Sequence, residues 1–157
     1  MNALSSSDDE VRQLYRKHVP EVASGIVDVV AVARDPGRYT MVAVRSNDSS
    51  INPVSACVGK GAALNKTIMR ELGGGICVLS WSESLPKFIA HTMLSRSLGR
   101  CRTPKVTLDD ATHQAHVQVE PETLEYMTAK DGLFLGLASR LVGWDIKLLP
   151  YDQSAAG

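Results

Sequence analysis

The sequence contains no long hydrophobic run. No stretch among its 157 residues approaches the ~20 consecutive apolar residues that a membrane-spanning helix needs. Residues 1–7 also lack the basic and apolar regions of a secretory signal. Hydrophobic residues make up 44% and charged residues 22% of the chain, which is normal for a folded soluble protein. We therefore expect no membrane partner and no membrane span.

Cysteine is scarce, and the three residues present are Cys57, Cys77 and Cys101. Their spacing matches no metal-binding pattern. Because the count is odd and two of the three lie in apolar runs, we expect reduced structural thiols, typical of a cytosol-like compartment. The sequence predicts no metal site and no cofactor.

Catalytic signatures are missing as well. The sequence has no Gly-x-Ser-x-Gly, no Walker loop, no His-Glu-x-x-His and no dinucleotide-binding fingerprint. Gly73-Gly74-Gly75 follows a predicted helix rather than a strand, so it is typical of a helix stop. We therefore predict that the chain is not an enzyme and has no small-molecule substrate.

Neither sign of charge is in excess, since 17 basic and 17 acidic residues leave a net charge of zero. A free nucleic-acid-binding domain is expected to carry a basic face. The charges are nevertheless segregated, because residues 106–126 hold five acids and no Lys or Arg, whereas residues 87–105 hold five basic residues and no acid. This basic strip either contacts phosphate or is a solvated helix end and loop. Its members are Lys87, Arg96, Arg100, Arg102 and Lys105.

The first half of the chain predicts the order helix, strand, strand, helix, helix, strand. A capping-box pattern at Ser7 starts a helix that ends near Pro20. Two β-branched runs, residues 26–33 and 39–45, flank a turn signal and indicate a hairpin. The stretch 52–79 then predicts two helices and a buried strand.

The second half repeats this order. A helix starts after Ser84, residues 95–103 read as a loop, and two short strands follow. Helices over 121–128 and 133–142 then flank a loop and precede a last strand. Two repeats of this kind are typical of two small α/β domains in tandem. The predicted organisation is a helix with a disordered start over 1–19, domains over 20–82 and 83–150, and a disordered tail over 151–157.

Short sequence patches occur in a characteristic order over residues 14–149. In the first half they are Val19-Pro20-Glu21-Val22, Ser24-Gly25, residues 30–37, Val42-Ala43-Val44, Ser46-Asn47-Asp48, residues 56–59, Glu71-Leu72-Gly73-Gly74 and Trp81-Ser82-Glu83. In the second half they are Leu137-Ala138, Ser139-Arg140-Leu141 and Gly143-Trp144. Together they resemble the tandem KH domains of NusA, a family of bacterial transcription elongation factors.

The resemblance implies an α/β (α+β) fold of two tandem prokaryotic-type (type II) KH domains, each a three-stranded sheet covered by helices. It implies a cytoplasmic RNA-binding protein of transcription elongation, termination or antitermination, with a plastid location as the alternative. The implied partner is single-stranded RNA of the nascent transcript, together with RNA polymerase or other transcription factors. The rival hypothesis is a protein-interaction module that kept the fold and lost most RNA binding.

KH domains hold about four nucleotides through a Gly-x-x-Gly loop between two helices. The matching residues of the first domain are Gly59-Lys60-Gly61-Ala62, in which alanine replaces the last glycine. A one-residue deletion, which makes Lys60-Gly61 the central pair, is the alternative alignment. The resemblance implies that this loop and Lys66 contact RNA, and a plain helix–helix turn is the other interpretation.

The loop of the second domain is Ala129-Lys130-Asp131-Gly132. Asp131 precedes a helix and is predicted to be its N-cap, so its carboxylate would occupy the N–H groups that a phosphate needs. Leu133 and Phe134 form a predicted exposed apolar pair that could meet a protein. The candidate RNA-binding residues of the whole chain are Gly59, Lys60, Gly61, Ala62, Lys66, Arg96, Arg100, Arg102, Lys105, Lys130 and Gly132.

Two tryptophans, Trp81 and Trp144, each lie beside a predicted last strand. Both are next to apolar runs, so packing at a domain edge is the expected role. Stacking on a nucleic-acid base is the alternative.

Overall fold

A computed structural model describes residues 3–93 and 104–151 of the protein, with side chains from residue 8 onward. The chain divides into two compact units, Met1–Trp81 and Ser82–Gly157. The loop predicted over 95–103 lies outside the described residues, as do Cys101 and the tail 152–157. No helix in the described ranges is long and apolar enough to span a membrane.

Helix α1, Ala3–His18, opens the first unit, so it starts before the capping-box pattern at Ser7. Val11 and Tyr15 are four residues apart and fully buried. Side chains at this spacing lie on one face of a helix, and burying them holds α1 against the sheet. A short helix α2, Pro20–Ala23, follows.

The first sheet is built from a hairpin and a returning strand. β1, Val27–Asp35, and β2, Tyr39–Ser46, pair antiparallel around a turn in which Gly37 has a φ of 80°. Glycine adopts this left-handed conformation without steric cost. β3, Gly75–Ser80, pairs in parallel with β2, so the strand order is β1-β2-β3 and β1 and β3 are the two edges.

Two helices make the crossover from β2 to β3. They are α3, Pro53–Val58, and α4, Ala63–Leu72. Asn52 caps α3, because its side chain accepts a hydrogen bond of 3.0 Å from the Ser55 N–H. Gly73 ends α4 with a left-handed φ of 78°. Parallel strands require such a crossover, since a tight turn cannot join them.

The core of the first unit consists of buried side chains from the sheet and from α1, α3 and α4. Its members are Val11, Tyr15, Val19, Val27, Val42, Val44, Cys57, Ile68, Leu72 and Ile76. Cys57 and the half-buried Cys77 are both free thiols. Burial raises the pKa of Cys57 to about 12, so this thiol stays protonated and unreactive at neutral pH.

The second unit has the same plan. Its helices and strands are α5, Leu85–Thr92; β4, Lys105–Asp109; β5, Gln114–Val119; α6, Pro121–Val142; and β6, Asp145–Pro150. The strand order is β4-β5-β6, with an antiparallel and then a parallel pair. The backbone of α6 leaves the helical conformation at residues 129–132, which divides α6 into two arms, 121–128 and 133–142. The predicted architecture of two three-stranded sheets with covering helices is confirmed.

The two units correspond residue by residue from the interhelical loop to the last strand. α4 and the second arm of α6 end at Gly73 and Gly143, whose φ angles are 78° and 79°. β3 and β6 begin two residues later, at 75 and 145. A constant offset of 70 residues therefore relates residues 59–80 to residues 129–150.

Tyr15 carries a buried hydroxyl group for which the described part of the chain offers no hydrogen-bond partner. The residue is fully buried, and burial raises the pKa of its hydroxyl above the ordinary value. The group is therefore neutral near pH 7. A buried polar group without a partner keeps its desolvation cost.

We predict that Tyr15→Phe raises the free energy of unfolding by about 1 kcal/mol, because it removes the unpaired hydroxyl and keeps the ring. Urea denaturation followed by circular dichroism measures the change. As a control, Tyr15→Ala should lower stability by about 3–5 kcal/mol through the cavity that it leaves. A Phe variant less stable than the parent would show that the hydroxyl has a stabilising partner.

Candidate nucleic-acid interface

Four residues, 59–62, separate α3 from α4, which is the length of a Gly-x-x-Gly motif. Lys60–Ala62 form a single 3-10 turn in which Gly61 has a φ of 62° and a ψ of 22°. Ala62 has nearly the same conformation, with a φ of 62° and a ψ of 25°. Two consecutive left-handed residues thus turn the chain from one helix into the next.

The two glycines of this loop have different physical roles. A Cβ at Gly59 would lie 2.8 Å from Cγ and 2.9 Å from the backbone N of Leu64, so only glycine fits there. A Cβ at Gly61 would meet nothing within 4 Å. Gly59 is therefore required by packing, whereas the backbone at Gly61 is open to a ligand.

The start of α4 has no side-chain cap, and the N–H of its first residue, Ala63, donates to the Lys60 carbonyl. Ala62 occupies the N-cap position and has no side chain that could accept a hydrogen bond. Lys60 and Lys66 are exposed and make no ion pair within the described residues. The loop therefore combines an uncapped helix start with two available cations, which favours an anion.

The loop of the second unit has three consecutive left-handed residues. Lys130, Asp131 and Gly132 have φ angles of 55°, 61° and 77°, after an extended Ala129 at φ −64° and ψ 164°. The prediction that Asp131 is an N-cap is wrong, because the left-handed Gly132 separates it from the second arm of α6. The exposed Asp131 carboxylate makes no hydrogen bond within the described residues.

The predicted exposed apolar pair after this loop is also wrong. Phe134 is only 4% exposed and its ring stacks on Tyr126, with centroids 4.9 Å apart and planes at 13°. Leu133 is half-buried. Lys130 Nζ lies 6.0 Å from the centroid of the Phe134 ring, within reach of a weak cation–π contact. Phe134 joins the two arms of α6 rather than facing a partner.

A groove that the sequence did not predict runs beside the second loop. Its volume is about 480 Å³, and both arms of α6 and strand β6 line it. The walls combine aliphatic side chains with the polar Thr128, Ser139, Asp145 and Lys147, and Gly136 forms part of them with nothing within 4 Å of an added Cβ. An isolated glycine inside a helical pattern was the available signal, since it costs helix stability and so often has a packing or functional reason. The lining residues include Leu124, Gly132, Leu135, Gly136, Lys147 and Leu148.

The offset of 70 residues places Lys66 at the position of Gly136, and Asn65 at that of Leu135. The corresponding surface of the first unit therefore carries a cation and an amide where the second unit has open space and an aliphatic wall. Asn65 Oδ1 is buried and has no hydrogen-bond partner among the described residues. Other groove positions differ in the opposite sense, because Ser139, Asp145 and Lys147 correspond to Met69, Gly75 and Cys77.

The basic strip is only partly described. Lys87 on α5 and Lys105 at the start of β4 are both exposed and make no ion pair within the described residues. Arg96, Arg100 and Arg102 lie outside those residues. Whether the five residues form one site therefore stays a prediction.

Both tryptophans lie against nitrogen-bearing side chains rather than in the buried cores. The guanidinium carbon of Arg45 is 5.2 Å from the centroid of the Trp81 ring. His113 stacks on Trp144 at 4.0 Å, and its Nε2 lies 3.0 Å from the Gly143 carbonyl oxygen. Both indole rings are half-buried.

Metal ligands are not clustered in the described ranges. No group of three or more His, Cys, Asp or Glu residues there could hold a metal ion. The chemistry available at the two loops is therefore that of lysines, backbone N–H groups and apolar surface.

Comparisons with known proteins agree with this geometry. Residues 5–81 match the family described as NusA-like first KH domain. The chain is 33% identical over 154 residues to the "Transcription termination/antitermination protein NusA" of Rickettsia prowazekii (strain Madrid E) and to its namesake in Rickettsia conorii. These matches cover 97% of this chain but 30% of each relative, so the chain spans about a third of their length. They confirm the resemblance to NusA.

A solved structure titled "Crystal structure of APE1850" is also similar. The TM-score is 0.59 at 15% sequence identity, and the match covers 90% of this chain and 95% of that chain. Similarity at this identity concerns the fold alone. It extends over both units and so supports the same architecture.

We predict that Ala62→Gly raises the free energy of unfolding by about 0.5–1 kcal/mol, because it relieves the left-handed strain of a residue with a Cβ. The matched control is Ala129→Gly, at the start of the other loop. Ala129 has a negative φ, so glycine there should lower stability by about 0.4–1 kcal/mol. Thermal unfolding of both variants tests the pair, and equal shifts of the same sign would contradict the assigned loop conformations.

Proposed function

We propose, because residues 5–81 match the family described as NusA-like first KH domain, that the chain binds single-stranded RNA through the first loop. The observation that carries this proposal is the uncapped start of α4 beside the exposed Lys60. The named relatives are transcription termination/antitermination proteins. We extend that role to this chain, with the nascent transcript as its RNA and the cytoplasm as its location.

The first loop supplies what a sugar-phosphate backbone requires. The open surface at Gly61 lets the RNA backbone approach the protein backbone closely. The start of α4 then presents the positive end of the helix dipole to a phosphate. Lys60 adds a full positive charge, and it makes no ion pair with a carboxylate within the described residues. Ala62 adds only a methyl group, so its side chain also leaves the loop backbone accessible to RNA.

Lys66 lies one turn into α4 and extends the cationic surface from the loop along the helix. Its counterpart in the second unit, Gly136, borders the groove. Bases of a strand held at the loop would lie along the cationic surface of α4. Lys66 would offer hydrogen bonds to base edges or phosphates.

The second unit supports a different kind of contact. Its groove of about 480 Å³ has aliphatic patches, from Leu124, Leu135 and Leu148, that suit the faces of bases, beside polar groups that include the Asp145 carboxylate. Lys130 is exposed on the adjoining loop, but so is the Asp131 carboxylate, which repels phosphate. We propose that this unit holds bases and contributes little backbone affinity. Lys105 and the arginines of the basic strip would add charge.

The alternative function is binding of RNA polymerase or another protein factor without RNA. Asp131 favours it for the second unit, because a free carboxylate occupies the loop position that corresponds to Gly61. The first loop carries no such carboxylate. RNA binding is therefore the better proposal for the chain as a whole. We propose that the chain acts as a binding protein rather than as an enzyme.

We predict that Lys60→Glu weakens RNA binding by about 1–2 kcal/mol, because one phosphate contact is lost and one repulsion is added. Fluorescence anisotropy with labelled single-stranded RNA measures the change. Arg70→Glu is the matched control, since it reverses a charge on the same helix about 12 Å beyond the loop. Equal losses for the two variants would mean that net charge, rather than the loop, determines affinity.

We predict that Gly136→Leu weakens RNA binding while stabilising the fold. The added side chain meets no atom within 4 Å at its Cβ and replaces a helical glycine, so stability should rise by about 0.5–1 kcal/mol. The same side chain would fill the groove. Gly136→Ala, which adds only a methyl group, is the control and should bind RNA nearly as the parent does. Unchanged affinity in the Leu variant would indicate that the groove holds no base.

A further inference from the structure

A second concave basic site lies at the edge strand β1 of the first unit. Its volume is about 350 Å³, and three arginines line it. Arg12 and Arg16 come from α1, Arg45 comes from β2, and Asp28 is the only carboxylate in the lining. The loop 59–62 does not border this cavity, so the two basic sites are separate.

The guanidinium groups are held in different ways. Arg12 Nη1 donates a hydrogen bond of 2.9 Å to the Val29 carbonyl, which anchors this side chain against β1. Arg45 Nη2 lies 3.3 Å from an Asp28 carboxylate oxygen. Arg16 is exposed and has no hydrogen bond or ion pair within the described residues. One carboxylate thus faces three guanidinium groups, which leaves a local excess of two positive charges.

An aromatic surface adjoins this charge. The Trp81 ring lies 5.2 Å from the guanidinium carbon of Arg45 and is half-buried. Guanidinium planes and indole rings are both surfaces on which nucleic-acid bases stack. Cations for a phosphate and a flat surface for a base therefore occur side by side.

We propose that Arg12, Arg16 and Arg45 bind a phosphate of single-stranded RNA, with Trp81 beside the attached base. The site is a second backbone contact, separate from the 59–62 loop, and it rests on the RNA-binding function proposed above. Planar guanidinium groups match the geometry of phosphate oxygens and form paired hydrogen bonds with them.

An acidic peptide fits this site less well. A peptide would bind a sheet edge by adding a strand, but the register of β1 shifts between Val29 and Ala31 and disturbs the edge. The Val29 carbonyl already accepts a hydrogen bond from Arg12. RNA needs no strand pairing, and a base can stack on the indole ring.

The test compares Arg16→Gln with Lys17→Gln. The two residues are neighbours on α1 with the same charge, but Lys17 does not line the cavity and its Nζ lies 3.9 Å from Glu71. The probe is a labelled random-sequence RNA of about 12 nucleotides, three times the length that one KH loop holds. Anisotropy titrations at several salt concentrations give the dissociation constant and its salt dependence.

We expect Arg16→Gln to weaken binding about 3–10-fold and to reduce the steepness of the log–log salt dependence by about 0.7, the value for one lost contact with a single strand. Lys17→Gln should change affinity less than about twofold. Arg45→Gln, measured in parallel, should weaken binding as Arg16→Gln does. Equal affinities for Arg16→Gln and Lys17→Gln would overturn the proposal.

Including Lys60→Glu separates this site from the loop. If Lys60→Glu weakens binding and Arg16→Gln does not, the loop function stands and the β1 site is wrong. If only the Arg16 and Arg45 variants weaken binding, the β1 site stands and the loop function is wrong. A competition with polyglutamate identifies the other occupant. If the Lys17 and Arg16 variants bind RNA equally, and polyglutamate displaces the RNA only from the Lys17 variant, the site binds an acidic protein and the proposal is overturned.

Discussion

The parallel pairing of β2 with β3 is the constraint on which the rest of the first unit depends. Parallel strands cannot be joined by a tight turn, so the chain must leave the sheet, cross over it and return. Two helices make this crossover, and the loop between them lies at residues 59–62. The second unit meets the same constraint between β5 and β6, with the two arms of α6. The position of each loop is thus a consequence of sheet topology.

The same backbone demand is met by different residues in the two loops. Left-handed conformations occur at Gly61 and Ala62 in the first loop and at Lys130, Asp131 and Gly132 in the second. A lysine occupies the second position of both, but the third position is glycine in one and aspartate in the other. The two loops therefore differ more in side-chain charge than in backbone shape.

The sequence was sufficient for the fold because the relevant signals are local. The hairpin turn, the apolar faces of the helices and the glycines after α4 and α6 each act within a few residues. Asp131 was misassigned because an aspartate before a helix usually caps it, whereas the backbone conformation here follows from the turn between two packed arms. Phe134 was misassigned because its partner Tyr126 lies on the other arm. The β1 site was not predictable, since Arg12 and Arg45 are brought together only by the fold.

The central claim is that single-stranded RNA lies on the first loop and along α4. Amide chemical-shift mapping tests it most directly, with unlabelled RNA titrated into the ¹⁵N-labelled chain. We expect the largest chemical-shift changes at the amides of residues 59–63 and Lys66. Smaller changes should occur at residues beside the groove of the second unit. Saturable binding that leaves the amides of residues 59–66 unchanged would contradict it.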